Sequence, residues 1–323
     1  QTGLLPKRAG CGLIPLMGWE SANLWRGIHS PDKLISKHNP ESGHLLSANQ
    51  ENNLAQGPTA VNLPMASYRY QRIESLLGNL KNPHLDDFKR MQRDLYSLQA
   101  KAYLDKIRPL IQNSGPVETL NKWDLRYDKN SRGAVFFEQF YATLIRQVFT
   151  AKLGDSVIHE LLTQTSLVAE YFGHFDRILL QRDLSQRERE FWFPEGAEQA
   201  YRKALNSTIE KYRYERPRKW GEVNCVEFKH ILWGETWPGR KKFNRGPFPI
   251  EGSRATISQG NVFSAHAKTT SFAPSWRFLT NMGFPQSLSS LPGSSRDCDS
   301  KHLDEELTRW RNYGYKNLTP PYN

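Results

Sequence analysis

The chain has 323 residues, 38% hydrophobic and 12% aromatic content, a formal net charge of +11 and a mean hydropathy of −0.67. That is enough apolar material to core one large domain or two ordinary ones, under a polar surface. No run approaches the ~18 consecutive apolar residues of a spanning helix, so a transmembrane segment is excluded within this stretch.

The basic excess is scattered, with local concentrations at Lys211 to Lys219 and Arg240 to Arg245. Neither forms a long tract, and no zinc-finger spacing or RNA-recognition aromatic motif accompanies them. The excess reads as a solvated face, so no nucleic acid and no membrane is expected as a partner. Cys11, Cys225 and Cys298 lie far apart, which permits one disulfide but no Cys-x-x-Cys metal spacing. The opening Gln1-Thr2-Gly3, without an initiator Met, reads as the interior of a longer polypeptide of which this is the C-terminal part.

Residues 1–64 are rich in Gly, Pro and Asn, and Leu13 to Met17 and His44 to Ala48 read as short strands between loops. A helix is predicted from Met65 to Leu80, with Ile73, Leu76, Leu77 and Leu80 on one side and Asn82-Pro83 as its break. The best helical pattern follows, in which Phe88, Met91, Leu95, Leu98 and Ala102 recur at three and four residues. Asp86 and Asp87 sit in its positive first turn, and Pro109 ends it. Further helices are predicted over 133–150, 156–173 and 197–213, with a charged, solvent-exposed segment at 181–195.

From Trp233-Gly234 onward Gly, Pro and Ser rise again. Arg254 to Ile257, Asn261 to Ser264 and Arg277 to Thr280 each read as a strand, and 300–312 as a last helix. Strand-like ends around a helical middle imply an α+β body in three parts: 1–82, a mainly helical insertion at 83–232, and a return to the sheet at 233–323.

Asn49 follows a short apolar stretch and precedes a polar loop. An amide NH2 there can serve a developing oxyanion without adding charge, although asparagine equally bonds its own backbone in a turn. Arg69 and Arg72, at the start of the predicted helix, can orient a carbonyl, a carboxylate or a second amide through a rigid fork, or simply be solvated. The nine histidines form no ligand spacing, and no phosphate-loop, dinucleotide or nucleophile-elbow motif occurs. Ser294 lacks the strand-to-helix context of a nucleophile.

In chain order, several segments resemble one known family. Thr2-Gly3-Leu4-Leu5-Pro6-Lys7-Arg8, Gly18-Trp19, Trp25-Arg26-Gly27, Asn39-Pro40-x-x-Gly43 and Ala48-Asn49 come first. Arg69, Arg72-Ile73 to Leu77, Met91-Gln92-x-Asp94 and Leu120-x-x-Trp123-Asp124 follow. Gly246-Pro247-Phe248-Pro249-x-x-Gly252, Ala273-Pro274-Ser275-Trp276-Arg277, Pro292-Gly293-x-Ser295, Trp310 and Gly314-Tyr315 close the series. Together they resemble the C-terminal two-thirds or so of the β-chain of the penicillin acylase family, N-terminal nucleophile amidases that include cephalosporin and acyl-homoserine-lactone acylases.

The resemblance implies a partial αββα sandwich with a helical insertion, and autoproteolysis that exposes an N-terminal serine upstream of Gln1. It further implies Asn49 as the oxyanion donor and Arg69 as the residue that organises it. The partners implied are a small acyl-amide substrate, the protein's own α-chain and an upstream β-chain segment. No cofactor is implied. A structural calcium is an option whose ligands would come mostly from outside this chain, because Tyr68 stands where some relatives carry an acidic residue. The location is periplasmic or secreted if the precursor has a signal peptide. A catalytically inactive relative with a structural or ligand-binding role is the alternative.

Overall fold

The computed structural model describes residues 4–9, 15–51, 65–111, 115–163, 167–262, 270–283, 286–293 and 301–318. It is a mixed helix-and-sheet protein, in agreement with the α+β expectation. Asn82-Pro83 separates α1 (Tyr68–Gly78) from α2 (Leu85–Gln92), with Asn82 in the left-handed region at φ 50°. The backbone N–H of His84 donates to Asp87 Oδ2 at 2.8 Å, which ties down the start of α2.

The periodicity across 88–102 predicts one helix, but the structure has two, α2 and α3 (Leu98–Ile107). Between them the chain pairs sideways: Ser97 N–H donates to Leu125 O and Tyr127 N–H to Leu95 O, both at 3.0 Å. Ser97 Oγ then accepts from Ala100 N–H at 3.1 Å and caps α3. These bonds replace the helical ones that a continuous helix would make.

After α4 (Glu118–Asn121) comes the long central helix α5 (Arg132–Leu153), whose Ser131 cap accepts from Ala134 N–H at 3.1 Å. Over the predicted 156–173 helix the described residues form α6 (Asp155–Thr163), α7 (Leu167–Glu170) and α8 (Phe172–Leu179), and α7 and α8 part where Tyr171 leaves helical dihedrals at ψ 25°. The charged segment 181–195 is mostly exposed and carries α9 (Gln186–Trp192), opened by a reciprocal Ser185–Glu188 cap. The helices α10 (Ala197–Lys211) and α11 (Trp220–Val223) complete this region.

Phe136, Phe137, Phe140, Leu144 and Ile145 of α5 are almost wholly buried, packed with Tyr103, Leu104 and Ile107 of α3 and with Tyr201, Ala204 and Leu205 of α10. Each such side chain contributes roughly 2 kcal/mol of apolar burial, so this aromatic layer is the main stabilising body.

The strands form small antiparallel sheets: β1 (Cys225–Phe228) with β2 (Arg245–Pro249), β3 (Asn261–Val262) with β4 (Thr270–Phe272), and β5 (Arg277–Asn281), β6 (Gln286–Ser290) and β7 (Lys316–Leu318) in that order. The short helix α12 (Gly239–Phe243) lies between β1 and β2, and the last helix, α13 (Lys301–Arg311), packs Leu307 and Trp310 on Val226. Among the described residues, no helix is long and apolar enough to cross a membrane.

Two strand expectations fail. His44 to Ala48 is irregular, because positive φ at Asn39, Gly43 and Asn49 keeps the chain turning. Arg254 to Ile257 is a turn closed by hydroxyls: Ser253 N–H donates to Thr256 Oγ1 at 2.7 Å, and Thr256 Oγ1 donates to Ser258 O at 2.6 Å. The Leu13 to Met17 expectation falls partly on Leu13 and Ile14, outside the described residues, and Pro15 to Met17 is irregular. Phe263 and Ser264 likewise lie outside the described residues.

Gly252 shapes the turn at 253–259. It sits at φ 87°, and a Cβ built there would stand 1.7 Å from the carbonyl oxygen of Ser258. Its own carbonyl accepts from Trp220 Nε1 at 2.8 Å and from Asn224 Nδ2 at 3.2 Å. Gly252→Ala should therefore cost about 3 kcal/mol or more, through backbone strain and collision together. A chemical-denaturation midpoint within error of the wild type would show that the turn relaxes freely.

Candidate functional site

The geometry around Asn49 begins with its backbone. Asn49 adopts φ 64°, a conformation that asparagine reaches at less cost than most residues carrying a Cβ. Flanking bonds fix it there: Ala48 N–H donates to Gln50 Oε1 at 2.7 Å, and Met65 N–H donates to Asn49 O at 2.8 Å. Ala48 and Gln50 are buried while the Asn49 side chain lies at the surface between them. The local sequence thus turns one amide outward from two buried neighbours.

Arg69, in the first turn of α1, reaches this loop across twenty positions of sequence. Its Nη2 donates to Asn49 Oδ1 at 2.9 Å and to Ala48 O at 3.0 Å, with Met65 Sδ at 3.4 Å. A guanidinium can only donate, so the atom it meets on Asn49 is the amide oxygen. The amide nitrogen, with two N–H donors, is consequently the end that Arg69 leaves free. Burial pulls the Arg69 guanidinium below its ordinary value, yet it stays a cation.

The two arginines considered together in the sequence separate in space. Arg72 forks onto Asp94, with Nε to Oδ1 at 3.0 Å and Nη2 to Oδ2 at 2.8 Å, and stacks over Tyr96 at 4.8 Å. The Arg72 guanidinium is held above its usual value chiefly by that hydrogen-bonded carboxylate. Arg72 therefore anchors α1 and Arg69 serves the loop.

A second anchor, which the sequence reading missed, lies one turn earlier. Tyr68 is 3% exposed, stacks on Phe172 at 6.1 Å and donates its hydroxyl to Asp176 Oδ2 at 3.0 Å. Asp176 is completely buried on α8. Its signal in the sequence was a lone carboxylate on an apolar helical stripe, with Phe172 four residues before it and Leu179 and Leu180 three and four after.

Among the described residues, no group of three or more His, Cys, Asp or Glu side chains is placed to hold a metal ion. Cys225 carries a free thiol whose Sγ contacts Gly221 O at 3.0 Å, and burial pushes that thiol up. Cys11, Cys298 and Ser294 lie outside the described residues. The arrangement at Asn49 and Arg69 is thus an oriented amide donor held by a cation and backed by a pinned helix. It is suited to receiving negative charge on an oxygen.

Comparison with known proteins bears on what such a donor serves. Residues 1–320 match the family model described as penicillin amidase. The chain is also 24% identical, over 361 aligned positions, to the acyl-homoserine lactone acylase QuiP of Pseudomonas aeruginosa. That similarity covers 96% of this chain and 41% of QuiP, so the chain spans well under half the length of that relative. With all but its last few residues matched to the family model, the chain belongs to the penicillin amidase family.

Proposed function

We propose that this chain is part of an N-terminal nucleophile amide hydrolase, which removes an acyl group from a linear amide. The nucleophile in this reading is a serine at the start of the mature β-chain, upstream of Gln1 and exposed by autoproteolysis. The α-amine of that serine takes the hydroxyl proton while the oxygen attacks the amide carbon. A tetrahedral oxyanion forms and collapses as the α-ammonium returns the proton to the leaving amine. Water, deprotonated by the same α-amine, then hydrolyses the acyl-enzyme to the free acid and the free serine. Asn49 Nδ2 donates to the oxyanion and Arg69 holds the other end of the amide. Upstream strands complete the αββα sandwich.

The observation that carries this reading is the 2.9 Å bond from Arg69 to Asn49 Oδ1, which engages the accepting end of the amide and leaves its donating nitrogen for an oxyanion. QuiP, by its name, acts on an acyl-homoserine lactone, and N-acyl amides of that kind are the substrates to try first. The test uses the full-length protein. Intact mass and N-terminal sequencing should reveal two chains, the larger beginning with Ser. Incubation with an N-acyl-homoserine lactone should release a free fatty acid and an amine. A single uncut chain that releases no acid from any N-acyl amide would sink the proposal.

A further inference from the structure

Asp176 is the most heavily bonded buried carboxylate among the described residues. Its Oδ1 accepts from Tyr103 OH at 2.6 Å and Tyr141 OH at 2.9 Å. Its Oδ2 accepts from Tyr68 OH and Gln99 Nε2, both at 3.0 Å. The donors come from α1, α3 and α5, and the acceptor from α8, so four helices meet on one side chain. Desolvation pushes Asp176 up, and the hydrogen bonds from Tyr103, Tyr141 and Tyr68 oppose it.

An apolar side chain of similar size would serve a core at least as well, since removing a buried charge in favour of good packing is often neutral or stabilising. What a carboxylate adds is direction: two oxygens, each fixing two donors at set angles. Three of those donors lie within the helical core. The fourth, Tyr68, immediately precedes Arg69 on α1, the helix whose Arg69 bonds Asn49.

Tyr68 is locked on every side. Phe172 stacks nearly parallel to its ring at 8°, and the Arg182 guanidinium lies 5.1 Å from the ring centre. One turn further along α1, Arg72 is forked onto Asp94. Two carboxylates therefore clamp α1 at positions 68 and 72, and Arg69 leaves the helix between them to reach the loop.

We propose that Asp176 is a positioning residue for amide cleavage: through Tyr68 it fixes the first turn of α1, and so sets the Arg69–Asn49 pair. The inference rests on Asn49 as the oxyanion donor. It adds to that reading a residue 127 positions away in sequence that never meets substrate.

The experiment compares two hydroxyl deletions at the same carboxylate. In the full-length enzyme, Tyr68→Phe and Tyr103→Phe each remove one hydrogen bond to Asp176, and both should lower the unfolding midpoint. Tyr68→Phe should also lower kcat about tenfold with KM held within twofold, because a small displacement of a transition-state donor is expensive in rate. Tyr103→Phe should keep kcat within about twofold. Equal kcat losses in the two variants, or none in Tyr68→Phe, would make Asp176 a structural residue only. A crystal structure of Tyr68→Phe gives a readout independent of activity: the Arg69–Asn49 bond should lengthen beyond hydrogen-bond range, and an unchanged bond overturns the proposal. Asn49→Ala is assayed alongside. If that variant keeps full activity, the oxyanion reading fails by itself, whereas an inactive Asn49→Ala with an unaffected Tyr68→Phe overturns only the role of Asp176.

Discussion

Replacing Asn49 with alanine in the complete enzyme should lower kcat by about 10²–10³-fold, or roughly 3–4 kcal/mol, the effect of losing one pre-organised oxyanion donor. KM should change little, since the donor acts on charge that develops only in the transition state. The fold should survive, because the side chain is exposed and its backbone bonds to Met65 and the Ala48–Gln50 turn do not depend on it. Asn49→Asp is the sharper variant. Its carboxylate still accepts from Arg69, so the geometry is kept, but it offers no N–H and adds a negative charge beside the oxyanion. Asn49→Asp should therefore be at least as slow as Asn49→Ala. Steady-state kinetics on an N-acyl amide decide the matter, and an alanine variant within threefold of wild-type kcat removes Asn49 from the chemistry.

What the sequence made legible follows from which forces are local. The stripe Phe136, Phe140, Leu144 and Val148 announces α5, and the structure buries that face. The turn at Asn82-Pro83 was equally readable, since both residues restrict the backbone by themselves. The interruption at Arg93 to Ser97 was not, because its cause is a pairing with Leu125 and Tyr127 some thirty residues on. The β1–β2 pair escaped for the same reason: Val226 opposite Phe248 is a match between distant segments with a bulge in the register.

At the candidate site, the resemblance to a family supplied Asn49 and Arg69, and neither residue alone carried a signal above that of a turn or a surface cation. Their bond spans twenty positions and joins the loop to the first turn of α1, which Tyr68 and Arg72 tie to buried carboxylates. Local pattern could mark Asp176 as a lone carboxylate on an apolar stripe but not what it holds: Asp176 lies 108 residues from Tyr68, and Asp94 lies 22 from Arg72. Sequence could name the two candidate residues. Only the fold shows how they meet.

The largest stability effect should come from the buried ion pair beneath that assembly. Glu138 on α5 accepts from Arg254 Nη1 at 2.8 Å and from Tyr127 OH at 2.7 Å, with the two charged side chains 13% and 10% exposed. Burial pulls the Arg254 guanidinium down, but the Glu138 carboxylate leads the opposing contributions, and the balance lies above the ordinary value. Arg254 packs on Tyr141 at 4.8 Å and on Phe172 at 5.6 Å, and so touches the same rings that surround Asp176 and Tyr68.

Glu138→Ala strands that cation and should destabilise the protein by about 3–5 kcal/mol, most of it the penalty of an uncompensated buried charge. If this is the cause, removing the cation as well should reverse the loss. Glu138→Leu combined with Arg254→Met replaces the pair with apolar side chains and should recover most of the stability. A pair whose value lay in its own attraction would leave the double variant as unstable as Glu138→Ala. Urea denaturation of the three proteins separates the cases. A fully recovered fold with lowered kcat would show that Arg254 also steers the rings behind Arg69, which stability alone cannot reveal.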